Sequence, residues 1–173
     1  MSPIANVIID SANISMFYIE RLLRGVSSDQ FARLAPGADG RVHSNHPAFI
    51  VGHLGLYAPR ILSDLGHSDP ALEPSEELVR LFDKDAVCQD DPDGTIYPAM
   101  ETITERFFSG YQAALEAVRQ VEDAAYAVEN PNEAMRERFT TMASMHNFYL
   151  GGHMMIHMGQ LSAWRRMMGM PPA

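Results

Sequence analysis

The stretch HNFYLGGHMMIHMGQLSAW, residues 146–164, sets His146, Leu150, His153, His157, Gln160 and Trp164 at spacings of four, three, four, three and four. Those intervals place all six side chains on one stripe of an α-helix, the stripe that faces a core. Gly169 and the Pro171-Pro172 pair end this helix after Met168.

The same period runs outward through the chain. From about Ala5 to Val26, the apolar residues Ile8, Ala12, Ile19, Leu22, Leu23 and Val26 fall on one helix face. Ser28-Asp29-Gln30-Phe31 adds a helical turn, and Pro36 to Gly40 is a loop by its turn chemistry. Asn45-His46-Pro47 opens a second helix reaching about Leu65, with Gly66 as its stop. A linker with Pro70 and Pro74, a short helix over Ser75–Phe82 and an acidic loop over Gln89–Gly94 follow. A third long helix is predicted from about Pro98 to Val128, carrying Ile103, Phe107, Tyr111, Ala114 and Val118. Asn130-Pro131-Asn132-Glu133 is a variant capping box and predicts a fourth helical region from near Pro131, with a break between Thr140 and His146. No run reads as a strand. The expected fold is all-α, a single domain over residues 1–173, built on four main helices with short extra helices in the connections.

Composition narrows the function classes. The 173 residues are 46% hydrophobic and 20% charged, which suits a packed core and excludes disorder as the main state. A formal charge of −9 repels a polyphosphate backbone, so no nucleic-acid partner is expected. Cys88 is the single cysteine and cannot form an intrachain disulfide. Neither a signal peptide nor an apolar run near the ~20 residues of a membrane span is seen, so a cytoplasmic protein without a membrane partner is expected. Eight of the twelve methionines lie in the last 32 residues, spread around every side of the final helix, which reads as adaptable packing.

The chemistry lies in the histidines. His153 and His157 stand four apart, so their rings leave one side of the helix about 5–6 Å apart at Cβ and can converge on one ion. His53 shares a core-facing side of the second helix with Phe49, Leu56 and Tyr57. A divalent ion between the two helices would satisfy three buried imidazoles at once; core histidines bonded to backbone carbonyls are the alternative. Gly151-Gly152, costly in a helix interior, point to a close approach by another backbone or a ligand. Tyr57 and Gln160 are candidates for hydrogen bonds to a metal-bound water or substrate oxygen, with a polar core role as the alternative. His46 reads as a helix-start residue and His146 as a boundary residue. Arg60, Arg165 and Arg166 are expected to be solvated or salt-bridged, or to hold an anion at a pocket mouth.

The segments NHPAFIVGHL (45–54), GHMMIHMGQL (152–161) and RRMMG (165–169) resemble the bacterial DinB-like superfamily, a DinB/YfiT-type metalloenzyme group unrelated to the DNA polymerase of that name. The resemblance covers the whole chain in order and length. It implies an up-down-down-up four-helix bundle, a homodimer, and a metal triad on His53, His153 and His157. Members include transferases using bacillithiol or mycothiol and a maleylpyruvate isomerase. The expected function is therefore a divalent-metal-dependent, thiol-using S-transferase acting on a small-molecule substrate, with a low-molecular-weight thiol as co-reactant. A metal-hydroxide hydrolase and a non-catalytic, metal-stabilised dimeric stress-related protein are the alternatives. Zinc fits three imidazoles best, and nickel, iron and manganese are compatible.

Overall fold

The computed structural model describes residues 2–173, which are mostly helical. Helix α1 (Pro3–Leu23) begins where the Ser2 hydroxyl accepts from the Ala5 N–H and Pro3 takes the first helical position. It buries Ala5, Ile8, Ile9, Ala12, Ile19, Leu22 and Leu23. The short α2 (Ser28–Phe31) follows. Pro36–Gly37 and Gly40–Arg41 then pair as two-residue antiparallel strands β1 and β2, where only a loop was expected.

The second helix is two helices, α3 (Pro47–Gly55) and α4 (Tyr57–Asp64), rather than one run to Leu65. Pro59 explains the interruption, because proline offers no N–H and its ring crowds the carbonyl four residues back, at Gly55. After α5 (Glu76–Phe82), α6 spans Met100–Arg119 and buries Ile103, Phe107, Tyr111, Ala114 and Val118. The expected continuation to Val128 does not occur. Gln120 and Val121 close α6 with bonds three residues back, to Ala117 and Val118, and Glu122 is extended before α7 (Asp123–Tyr126). That turn brings Tyr126 into full burial, with its ring 5.8 Å from that of His146.

No α-helix begins at Pro131. The Asn130 side chain instead accepts from the Asn132 N–H and donates to the Phe139 carbonyl, an Asx-type turn that competes with helix capping. Backbone bonds from Asn130 to Thr140 and from Met142 to Val128 close the loop around a single 3₁₀ turn at Glu133–Met135. The helix starts at α8 (Met142–Asn147), under a capping box formed by Thr141 and Ser144. A π-helical turn (Phe148–Gly152) joins it to α9 (His153–Met167).

Helix α6 packs on α3, α4 and α1; α1 packs on α8, the π turn and α9; and α3 meets α9 across the core. Among the described residues no helix is long and apolar enough to cross a membrane.

Candidate metal centre

His53 comes from α3 and His153 and His157 from the start of α9, so the contact between those helices builds the cluster. His153 Nε2 lies 3.3 Å from His53 Nε2 and 3.1 Å from His157 Nε2. His53 and His153 are buried, and His157 is partly exposed at the rim.

The outer partner of His53 settles its protonation. His53 Nδ1 lies 2.7 Å from the Phe82 carbonyl oxygen, which only accepts, so Nδ1–H donates and Nε2 keeps a lone pair. His157 Nδ1 donates in the same way to Gln160 Oε1 at 3.0 Å, and Asn45 Nδ2 donates to that same oxygen at 3.0 Å. Two lone pairs therefore converge on His153, whose own Nδ1 is buried without a partner. With its proton on Nδ1, three lone pairs face one another. With the proton on Nε2, one hydrogen serves two acceptors and Nδ1 becomes an orphaned acceptor. Either state leaves a buried polar atom unpaired, which costs free energy.

A cation removes the conflict. Imidazole nitrogens bound about 2.0–2.1 Å from one ion stand about 2.9 Å apart at a right angle and about 3.4 Å apart in a tetrahedron, and the observed 3.1 and 3.3 Å fall between. The group His53, His153 and His157 can hold a metal ion through one nitrogen each, and no carboxylate joins it among the described residues. The Phe82 carbonyl and Gln160 stand where outer acceptors would orient histidine ligands if an ion were bound.

Aromatic rings wall the cluster. Phe49 stacks on His53 at 6.4 Å, Phe148 lies 5.4 Å from His153, and Tyr57 contacts both His53 (5.3 Å) and His153 (4.5 Å). Tyr57 also meets Tyr149 at 4.9 Å, while the Arg60 guanidinium lies over the Tyr57 ring. Tyr149 and Arg60 line a cavity of about 440 Å³ with Asp64, Glu73 and Asn132, a volume suited to a small molecule.

The two candidate polar residues differ in what they contact. Gln160 engages His157 rather than facing the convergence point, whereas Tyr57 covers two of the imidazoles with its ring. His46 caps α3 as expected: its Nδ1 accepts from the Phe49 N–H and its Nε2 donates to the Gln89 carbonyl at 2.8 Å. His146 does stand at a boundary, in the last turn of α8 just before the π turn. It is fully buried in α8 with Nε2 3.1 Å from an Asp64 carboxylate oxygen. Arg165, expected to be solvated or salt-bridged, is instead buried and donates to the carbonyls of Leu22, Arg24 and Pro171, tying α9 to the end of α1. Arg166 is exposed. Gly151 is the site of close approach: a Cβ there would overlap the Ser11 hydroxyl of α1, so helix packing accounts for this glycine. The Phe82 carbonyl was missed because a backbone acceptor carries no side-chain signal, and Asn45 because its partner lies 115 residues away.

No family model and no curated protein matches this chain. The chemistry of the site therefore rests on its own geometry.

Burial pushes the pKa of His46 down to about 4, and burial together with the neighbouring imidazoles pushes His153 to about 3 and His157 to about 4. In the metal-free protein the unfolded chain takes up protons below about pH 6.5, while the folded chain resists until about pH 4. Stability is therefore full above pH 6.5 and falls as the pH drops from 6.5 to 4. Urea midpoints measured in chelator between pH 8 and 4 should fall through that window as His46, His153 and His157 take up protons on unfolding, with His53, which burial also lowers, adding to the uptake. Midpoints that stay flat from pH 6.5 to 4.5 contradict the buried, neutral imidazoles.

Proposed function

We propose that this is a cytoplasmic, divalent-metal-binding protein of the DinB-like type, and that His53, His153 and His157 hold one ion for thiol-dependent S-transfer. The convergence of three Nε2 atoms, two of them oriented by outer acceptors, is the observation that carries the reading. The up-down-down-up four-helix bundle belongs to the same proposal, supported by the ring of contacts from α1 to α6, α6 to α3 and α4, α3 to α9, and α9 to α1. A homodimer is supported by the exposed apolar residues Val7, Ile14, Phe17 and Tyr18 on α1 with Met155 and Ile156 on α9.

Three neutral imidazoles suit zinc and also accommodate nickel, iron or manganese. A divalent ion held by them would supply a Lewis acid that makes a thiol or water beside it more acidic. The chain's own contribution is positional. Phe82 and Gln160 hold two imidazoles with Nε2 inward, and Phe49, Tyr57 and Phe148 limit water around them. The half-exposed Arg60 guanidinium pairs with Asp83 at 3.8 Å and lines the adjoining cavity together with Asp64 and Glu73. Cys88 is held protonated at neutral pH, because burial pushes its thiol up to about 11, so the reacting thiol comes from outside the chain.

The test is a panel of low-molecular-weight thiols with electrophilic acceptors, assayed with zinc-loaded and chelated protein. Zinc-dependent thiol consumption is expected, and its loss in a His157→Ala variant. No zinc-dependent loss of any thiol overturns the transfer reading; ester or amide cleavage without thiol consumption replaces it with a metal-hydroxide hydrolase.

A further inference from the structure

We propose that Gly52 is a positioning residue for the metal centre: it lets Phe82 lie flat on α3, so that the Phe82 carbonyl locks His53 with Nε2 toward His153. This rests on the metal reading above and adds a third segment, α5, to a site otherwise built from α3 and α9.

Glycine inside a helix is unfavourable relative to alanine, so Gly52 in the middle of α3 calls for a local cause. The cause is visible. A Cβ on Gly52 would fall within 2.6 Å of three ring atoms of Phe82. That ring has little room to swing away: Phe82 is 1% exposed, packed 5.7 Å from Tyr97 and 6.4 Å from Phe49, and the cavity it shares with Gly52 holds only about 30 Å³. A side chain at position 52 must therefore push the end of α5 off α3.

The end of α5 is where His53 is held. Phe82 is the last residue of α5, so its carbonyl has no partner within the helix and is free to accept the His53 Nδ1–H. Fixing the proton on Nδ1 leaves the lone pair on Nε2, the atom 3.3 Å from His153. The dependence runs both ways. An ion that favours Nε2 as a ligand also favours α5 docked on α3, and a displaced α5 weakens the ion's hold.

The test is a double-mutant cycle on the full chain, reading the zinc dissociation constant by competition with a chromophoric chelator. Outer partners of metal-bound histidines are worth about 10–100-fold in affinity. Gly52→Ala is expected to weaken zinc by at least about 10-fold. In a Phe82→Ala background, where the ring no longer opposes a Cβ, the same substitution should change affinity less than about 3-fold. Unchanged affinity in Gly52→Ala, or an equal loss in both backgrounds, overturns the proposal. If Gly52→Ala does not fold, nitrogen-15 NMR of His53 in the metal-free wild type decides: a proton on Nδ1 supports the lock, and a proton on Nε2 overturns it. Failure of the wild type to bind zinc at all overturns the metal reading instead.

Discussion

His153→Ala is expected to abolish tight metal binding while leaving the chain folded. His153 is the hinge of the cluster, the one imidazole whose Nε2 lies within 3.3 Å of both others. Without it, His53 and His157 offer two nitrogens on separate helices and no third donor in the group. An ion bound to the folded state stabilises it by RT ln(1 + [L]/Kd), about 4 kcal/mol at a thousandfold excess over Kd. Zinc at that excess should therefore raise the melting temperature of the wild type by roughly 10 °C for a chain of this size, and of the variant by almost nothing. In chelator the two proteins should lie within about 2 kcal/mol of each other, because the substitution removes buried apolar contact together with an Nδ1 that has no partner. Collapse of the metal-free variant would instead make His153 a structural residue of the core.

The largest loss of stability is expected at Trp164. Its side chain is 1% exposed at the far end of the stripe that carries His153 and His157, and its Nε1 donates to the Arg33 carbonyl at 2.8 Å. Trp164→Ala opens a large cavity and strands that carbonyl, at a cost of about 3–5 kcal/mol. Trp164→Phe keeps most of the burial and should cost about 1–2 kcal/mol, the hydrogen bond and the difference in volume. Because this is the only tryptophan, denaturation must be followed by circular dichroism rather than fluorescence. A Trp164→Ala midpoint within about 1 kcal/mol of the wild type would contradict this packing of α9 against the loop after α2.

The periodic parts of the chain were legible and the junctions were not. Ile8, Ala12, Ile19, Leu22, Leu23 and Val26, and later Ile103, Phe107, Tyr111, Ala114 and Val118, are all buried as a 3.6-residue period requires. His53, His153 and His157 could be named because helical spacing and an apolar neighbourhood are local properties, and the structure brings them together. What escaped depends on competition between local alternatives or on distant partners. Asn130 had a helix-capping pattern and an Asx turn available, and bonds to Phe139 and Thr140 selected the turn. Pro59 ends α3 through a clash that helical periodicity does not register. The π turn at Phe148–Gly152, where the His153 N–H bonds back five residues to Phe148, had only Gly151-Gly152 as its signal. The Phe82 and Gln160 acceptors decide which nitrogen of His53 and His157 faces inward, and neither role follows from spacing alone.

X-ray absorption on zinc-loaded wild-type protein, with metal content measured on the same sample, tests the three-histidine centre most directly. One zinc per chain, with three imidazole nitrogens at about 2.0–2.1 Å and one further light donor, is the predicted result. Substoichiometric zinc, or a spectrum that lacks imidazole scattering, would contradict it.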